Sequence, residues 1–435
     1  MCLENEINMF KWFLILIAYI PFQIALNPGY GFDLSSLRVF IILLFLVCLI
    51  KIYQKCFKFY NLQAMSLFLF LILSGISLIN AENISWGLRK IVFFISIFLI
   101  YFLVVTLIDN WIKIEKVIKI LFIASGLFAL IGLFQFLFQF IFKLEKVYGF
   151  WAVNVLPIFS GFNLGEMILA YPSWLVNVGG ETIMRSFSLF SDPHMFSFYL
   201  GLIIPLVVIL YFKNFNRILL FSIYFLLFIG LLLSFSRGAY FAIIITFLIL
   251  SILLWRESGL RGRKLAILFC LSLLIFIIPI TPISDRFYSS FDLNEGSNVG
   301  RLEMWQQAGE IGLNNFWSGM GLGNYSLEID SDLDYRNPIT AHNLYLDIFS
   351  EMGIFVLFIW LILILGTIGY LFQLIKDTKN SDIRYFSISL IGSLVYFFIH
   401  SFFETAIYQP SVLALLMIIL GLSTIILTKE ACPSK

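Results

Sequence analysis

A chain of 435 residues, of which 61% are hydrophobic and only 12% charged, lacks the polar surface that a water-soluble globule needs. Its 28 Lys and Arg against 26 Asp and Glu give a formal net charge of +2. That value says little, since it averages a basic inner face with a nearly neutral outer one; no nucleic-acid partner is expected.

Windows of about 17 to 25 apolar residues mark membrane spans. About twelve are predicted, near residues 10–26, 37–53, 60–79, 88–108, 117–142, 195–212, 217–233, 238–255, 264–281, 343–375, 385–401 and 411–428. The fold class is therefore an all-α polytopic membrane protein with two large external loops. Residues 1–142 hold helices one to five, 143–194 an external or interfacial loop, 195–281 helices six to nine, 282–342 the large external loop and 343–435 helices ten to twelve. Glu4 and Glu6 at the start, with no small-residue cleavage site after the first apolar run, argue against a cleavable signal peptide.

The run from Ile218 to Leu254 carries one charge, Arg237. As a single helix it would reach roughly 55 Å, nearly twice a hydrocarbon core of about 30 Å, so it must be two spans. Ser234-Phe235-Ser236-Arg237-Gly238 is the plausible turn, because Ser and Gly bend chains and a mid-membrane arginine costs about 2.5–3.5 kcal/mol or more. Arg237 then lies at a membrane surface.

Lys and Arg in the short loops set the orientation. One alternate set has fifteen of them: Lys51, Lys55, Lys58, Lys113, Lys116, Lys119, Lys213, Arg217, Arg256, Arg261, Arg263, Lys264, Lys376, Lys379 and Arg384. The other has four, Arg38, Arg89, Lys90 and Arg237, which puts both termini in the cytoplasm and Arg237 on the outer face. None of the five cysteines (Cys2, Cys48, Cys56, Cys270, Cys432) falls in an external loop, so neither disulfides nor a CxxC metal site are expected.

Both long segments are then external. The first contains FWAVNVLPIFSGFNLGEMILAYPSWLVNVGGE, an aromatic, Pro- and Gly-rich stretch suited to lying along the membrane interface. In the second, Asn298 to Leu313 reads as a helix with Arg301 in its first turn, followed by a loop, SGMGLGNYS. Glycines 319, 321 and 323 resemble a dinucleotide fingerprint only superficially, since no strand precedes them and the later glycine is missing.

All three histidines, His194, His342 and His400, map outside with Arg185, Arg237, Arg301 and Arg336, whereas the span interiors are almost purely Leu, Ile, Phe and Val. Interfacial charges often just snorkel. An ion-coupled transporter, however, buries charges near the midplane, and here they gather on one face instead. Arginine forks match phosphate oxygens, so this face suits a diphosphate headgroup, as on a polyprenyl-linked sugar.

SRGAYFA, GRLEMWQQAGEIGLNNFWSGMGLGNYS and AHNLYLDIFSEMGIF, in that order, together with the upstream MRSFSLFSDPHMFSFYL, resemble the signature of the O-antigen ligase and polymerase superfamily of bacterial membrane glycosyltransferases. The likeness covers roughly residues 185–365. It implies a lipid-carrier (GT-C type) glycosyltransferase fold, an undecaprenyl-diphosphate-linked glycan donor, a lipid-linked glycan or lipid A core acceptor, a bacterial inner-membrane location, and neither metal nor cofactor. The family's phosphate-binding arginines match Arg237 and Arg301, with Arg185 a further match, and its loop histidine matches His342. After Glu351-Met352-Gly353 relatives often carry a second glycine where this chain has Val356, which bears on helix packing.

The chemistry follows on its own terms. Transfer from a diphosphate needs charge neutralised on the leaving group, which Arg237 and Arg301 supply. A hydroxyl acceptor profits from a base with a pKa near working pH, and His342 is the candidate, against a helix-start packing role. Asp192 before Pro193 fits a helix N-cap, with His194 beside it. Glu351 lies nine residues past His342 on the opposite side of a continuous helix and is no direct partner for it. His400 and Glu404 have the spacing to pair on one helix face.

The leading reading is a polymerase that joins O-antigen, capsule or exopolysaccharide repeat units. The near alternative is a ligase acting on lipid A core or protein. A lipid-linked oligosaccharide flippase or exporter, the alternative from another class, predicts charges along a transmembrane path, which the sequence lacks.

Overall fold

The computed structural model describes residues 2–29, 32–54, 61–161, 168–169, 173–213, 215–257, 259–278, 282–292, 295–333, 335 and 339–431. Arg336, Cys56 and Cys432 lie outside these residues.

The chain is an all-α polytopic membrane protein. Its principal helices are α1 (Cys2–Tyr19), α2 (Ser36–Gln54), α3 (Leu62–Ser77), α4 (Ile84–Leu107), α5 (Trp111–Phe142), α6 (Pro193–Ile203), α7 (Arg217–Leu233), α8 (Arg237–Glu257), α9 (Gly259–Ser272), α10 (Gly296–Asn314), α11 (Leu344–Leu361), α12 (Ser381–His400) and α13 (Pro410–Ala431). Among the described residues eight helices are long and apolar enough to cross a membrane, or nine if the bent pair Gly259–Ile277 and Pro282–Phe291 forms one span. Three shorter apolar helices, Asn8–Phe22, Ser36–Leu49 and Arg217–Leu233, fall on further predicted spans. Among the described residues, then, eight or nine of the expected twelve have the length and composition of a full span.

The span Pro193–Phe212, α12 and the described part of α13 are the most enclosed, with the other spans packed around them. Some polar side chains among them bond to backbone carbonyls of a neighbouring helix: Ser393 Oγ donates to the Leu202 carbonyl at 2.8 Å and Tyr396 Oη to that of Ser197 at 2.9 Å. The predicted turn after α7 is present. Ser234 to Ser236 connect it to α8, with Phe235 at φ 49°.

Two features depart from the sequence reading. A β-hairpin, β1 (Leu175–Val178) with antiparallel β2 (Glu181–Met184), occupies part of the segment read as interfacial. The Gly179-Gly180 turn, with φ of 62° and 88°, is the signal that marks it. A second small hairpin joins Ala25–Gly29 to Phe32–Ser35.

The tenth predicted span is also not one continuous helix. At Gly353 the backbone leaves helical geometry, with φ 81° and ψ 178°, and a π-turn follows at Ile362–Gly366. The segment after α10 satisfies the freed backbone groups: Met320 N donates to Ser350 O at 2.9 Å, Gly321 N to Glu351 O at 2.9 Å, and Ile354 N to Phe316 O at 3.0 Å. A helix broken within an apolar span is tolerated only where protein supplies such partners. The glycine-rich loop is therefore a structural clasp on α11.

Candidate active site

Four helix termini and one loop bring the site together. Asp192 caps α6, its carboxylate accepting from His194 N at 2.6 Å with Pro193 in the first turn, and this fixes where His194 starts. Asn343 caps α11 by accepting from the backbone N–H of Tyr345 and Leu346, and so sets His342 just outside that helix. Leu344 N also donates to Ser401 O at 2.9 Å, tying this start to the loop after α12. His342 has φ 49°, a left-handed conformation costing roughly 1–2 kcal/mol in a non-glycine residue and imposed here by the flanking bonds.

Glu404, in the loop between α12 and α13, is the hub. One oxygen, Oε1, accepts from Arg301 Nη2 at 2.7 Å and lies 3.3 Å from His194 Nδ1. Its other oxygen, Oε2, lies 3.0 Å from His342 Nδ1. Burial by itself pushes the Glu404 carboxyl upward, but His194, His342 and Arg301 outweigh it and hold the group well below the usual carboxylate range. In return, the Glu404 charge raises His342 above the ordinary histidine value.

His194 is fixed in one tautomer. Its Nε2 lies 3.3 Å from both Nη1 and Nη2 of Arg185, and a guanidinium only donates. The lone pair is therefore on Nε2 and the proton on Nδ1, which faces Ser236 Oγ at 2.8 Å as well as Glu404. Arg185 is enclosed, with Nε donating to Ser234 O at 2.6 Å; burial lowers its pKa to about 10. Asp192 is pushed upward by burial and by the nearby Glu404.

Arg237 opens α8 and is itself buried. Its guanidinium grips Glu295 with both terminal nitrogens, and Nη1 also donates to Asn298 Oδ1 at 2.6 Å. Arg286 reaches the same Glu295 carboxylate at 3.5 Å.

Of the residues singled out from sequence, Arg185, Asp192, His194, Arg237, Arg301, His342 and Glu404 converge. Glu351 does not, since it pairs with Lys90 Nζ at 3.1 Å and accepts from Tyr408 Oη at 2.8 Å, while the Lys90 ammonium lies 4.0 Å from the Tyr408 ring centroid. The expected His400–Glu404 pair is not formed. Helix α12 ends at His400, so the spacing of four residues no longer places both side chains on one helical face. The His400 ring instead stacks on Phe198, with centroids 4.3 Å apart. Sequence reasoning missed Ser236, Arg286, Glu295 and Asn298, most of whose partners lie far away in sequence: Arg237 reaches Glu295 and Asn298, Arg286 shares Glu295, and Ser236 meets His194.

Among the described residues no group of three or more His, Cys, Asp or Glu side chains is arranged to hold a metal ion. The histidines address different Glu404 oxygens, and the His194 Nε2 lone pair is taken by Arg185.

A polytopic helical membrane protein with arginines and histidines gathered around a buried carboxylate beyond its helix ends is the class these features define. The O-antigen ligase family matches residues 222–361, a stretch that includes Arg237, Arg286, Arg301 and His342. An O-antigen polymerase of Salmonella muenchen is 28% identical over 259 residues, covering 54% of this chain and 61% of that relative. The match thus spans less than two thirds of the relative's length. Over these residues the chain is similar to the O-antigen ligase and polymerase superfamily.

Proposed function

We propose that this protein transfers a glycan from an undecaprenyl diphosphate carrier to a sugar hydroxyl, without a metal, on the outer face of the bacterial inner membrane. The observation that carries this reading is the Glu404 hub, which holds Arg301 at 2.7 Å and His342 at 3.0 Å on its two oxygens. Glu404 orients the His342 ring through Nδ1 and leaves Nε2 as the proton acceptor. The acceptor oxygen attacks the anomeric carbon and its proton passes to Nε2. The bond from that carbon to the diphosphate oxygen breaks, and undecaprenyl diphosphate leaves. Arg237 and Arg301 neutralise the charge that grows on it. Arg185 supports the site from behind by fixing His194.

Polymerisation is the favoured form, on the strength of the Salmonella muenchen relative. The ligase description of the family carries the second reading, transfer of the finished glycan to lipid A core or protein. A deletion strain separates them. Single repeat units still attached to the final acceptor, with no polymer, indicate a polymerase; loss of all attachment indicates a ligase. Purified protein that moved lipid-linked glycan across liposome bilayers without forming a glycosidic bond would overturn both.

A further inference from the structure

Glu295 sits between two cations that it does not satisfy equally. It takes both terminal nitrogens of Arg237, whereas Arg286 makes one 3.5 Å contact with it, and the buried Arg286 Nε has no hydrogen-bond partner. A guanidinium has five N–H donors, and the Nε–H of Arg286 is left without an acceptor among the described residues. Glu295 stands just before α10, where a carboxylate commonly caps, yet its side chain makes no capping bond and reaches across to Arg237 instead. It is 30% exposed, against 7% for the Arg237 side chain.

We propose that Arg286 is a further donor-binding residue, and that Glu295 is a displaceable counter-ion occupying the place between Arg237 and Arg286 where the donor diphosphate binds. This rests on the reading of the site as a lipid-diphosphate glycosyltransferase. A carboxylate between two guanidiniums has the chemistry of a phosphate group but half the charge of a diphosphate diester. Two arginines balance the diphosphate in full, and its extra oxygens give the unpartnered Nε–H of Arg286 an acceptor. Glu295, partly in water already, is rehydrated on swinging out, and the diphosphate takes over the Arg237 contact that it gives up. The exchange makes occupancy selective: a monoanionic headgroup gains no more from the two arginines than Glu295 does, while a diphosphate gains a second charge pair.

The test measures undecaprenyl diphosphate binding to the full chain in nanodiscs. Glu295→Gln is expected to bind about tenfold more tightly than the unaltered protein, the scale of one charge-assisted interaction. Glu295→Asp, too short to hold both guanidiniums, is expected to tighten binding less, and it keeps the test open where the glutamine variant misfolds. Arg286→Gln is expected to weaken binding by a similar factor and to cancel the gain when combined with Glu295→Gln. Unchanged or weaker binding in folded Glu295 variants, with binding still lost in Arg237→Ala, overturns the counter-ion proposal alone. Absence of binding by the unaltered protein, or binding indifferent to Arg237→Ala, removes the donor-site reading and this inference with it.

Discussion

His342 Nδ1 and Glu404 Oε2 lie 3.0 Å apart across 62 positions of sequence. Because Glu404 is held ionised by its neighbours, it raises His342 above the usual histidine value. A base must be neutral to accept a proton, so activity falls as pH drops through that raised pKa. Glu404→Gln removes the cause. The acid limb of the pH–rate profile should move down toward about 6.5, and the plateau rate should fall by about 100-fold or more, the scale of a lost oriented base. An unshifted limb in folded Glu404→Gln assigns the ionisation to another group.

A second polar pair behaves differently. Lys90 and Glu351, with side chains 14% and 4% exposed, join α4 to α11. Lys90→Met leaves a buried carboxylate without its cation and should cost about 3–5 kcal/mol, while Lys90→Met with Glu351→Leu should recover much of that. Thermal unfolding in detergent reads both. Surviving activity should keep its acid limb in place, since this pair does not touch His342; a shifted limb ties it to the catalytic base.

How much of this was legible in the sequence depends on distance along the chain. Arg237 followed from span length and the cost of a buried charge, and the Asp192-Pro193 cap from local backbone chemistry. Arg301 and His342 stood out through the ordered motifs. Glu404 was visible only as a neighbour of His400, because the spacing rule assumes a helix that in fact stops at His400. Its true partners are 62, 103 and 210 positions away, at His342, Arg301 and His194. The break at Gly353 was equally hidden: Glu351-Met352-Gly353 reads as helix until the loop that clasps it is folded back.

That clasp makes glycine substitutions unequal. Gly319 has φ 69°, and an added Cβ would lie 2.3 Å from the Glu351 backbone carbon. Gly319→Ala should therefore destabilise by about 1–3 kcal/mol from crowding, with roughly a further 1 kcal/mol from left-handed backbone. Gly309, inside α10, has nothing within 4 Å of the added methyl, so Gly309→Ala should stabilise by up to about 1 kcal/mol. Melting temperatures of the two variants decide it, and equal shifts would contradict the clasp.

The basic short loops demand that reporter fusions after Asp292 lie outside and those after Arg263 inside. Alkaline phosphatase activity from the first and a cytoplasmic fluorescent reporter from the second are the expected signals. An inside report after Asp292 would sink the functional scheme, since Arg237, Arg301 and His342 gather on the same side as that segment.

The arginines and the histidine should fail in different ways. Arg237 uses two terminal nitrogens as a fork, a geometry that an ammonium cannot reproduce. Arg237→Lys should therefore insert normally yet lose both donor binding and transfer, with Arg237→Ala at least as severe. Arg301→Ala should resemble it, through loss of the proposed phosphate contact and of the hold on Glu404. His342→Ala should retain donor binding while transfer slows by about 100-fold or more, because a missing base raises the barrier without weakening the ground-state complex. Arg336→Ala, a loop charge with no assigned role, serves as the control and should do neither. Binding and single-turnover transfer, measured separately on each variant, test the division of labour. Normal transfer in Arg237→Lys would reduce that arginine to an anchor for the α7–α8 turn.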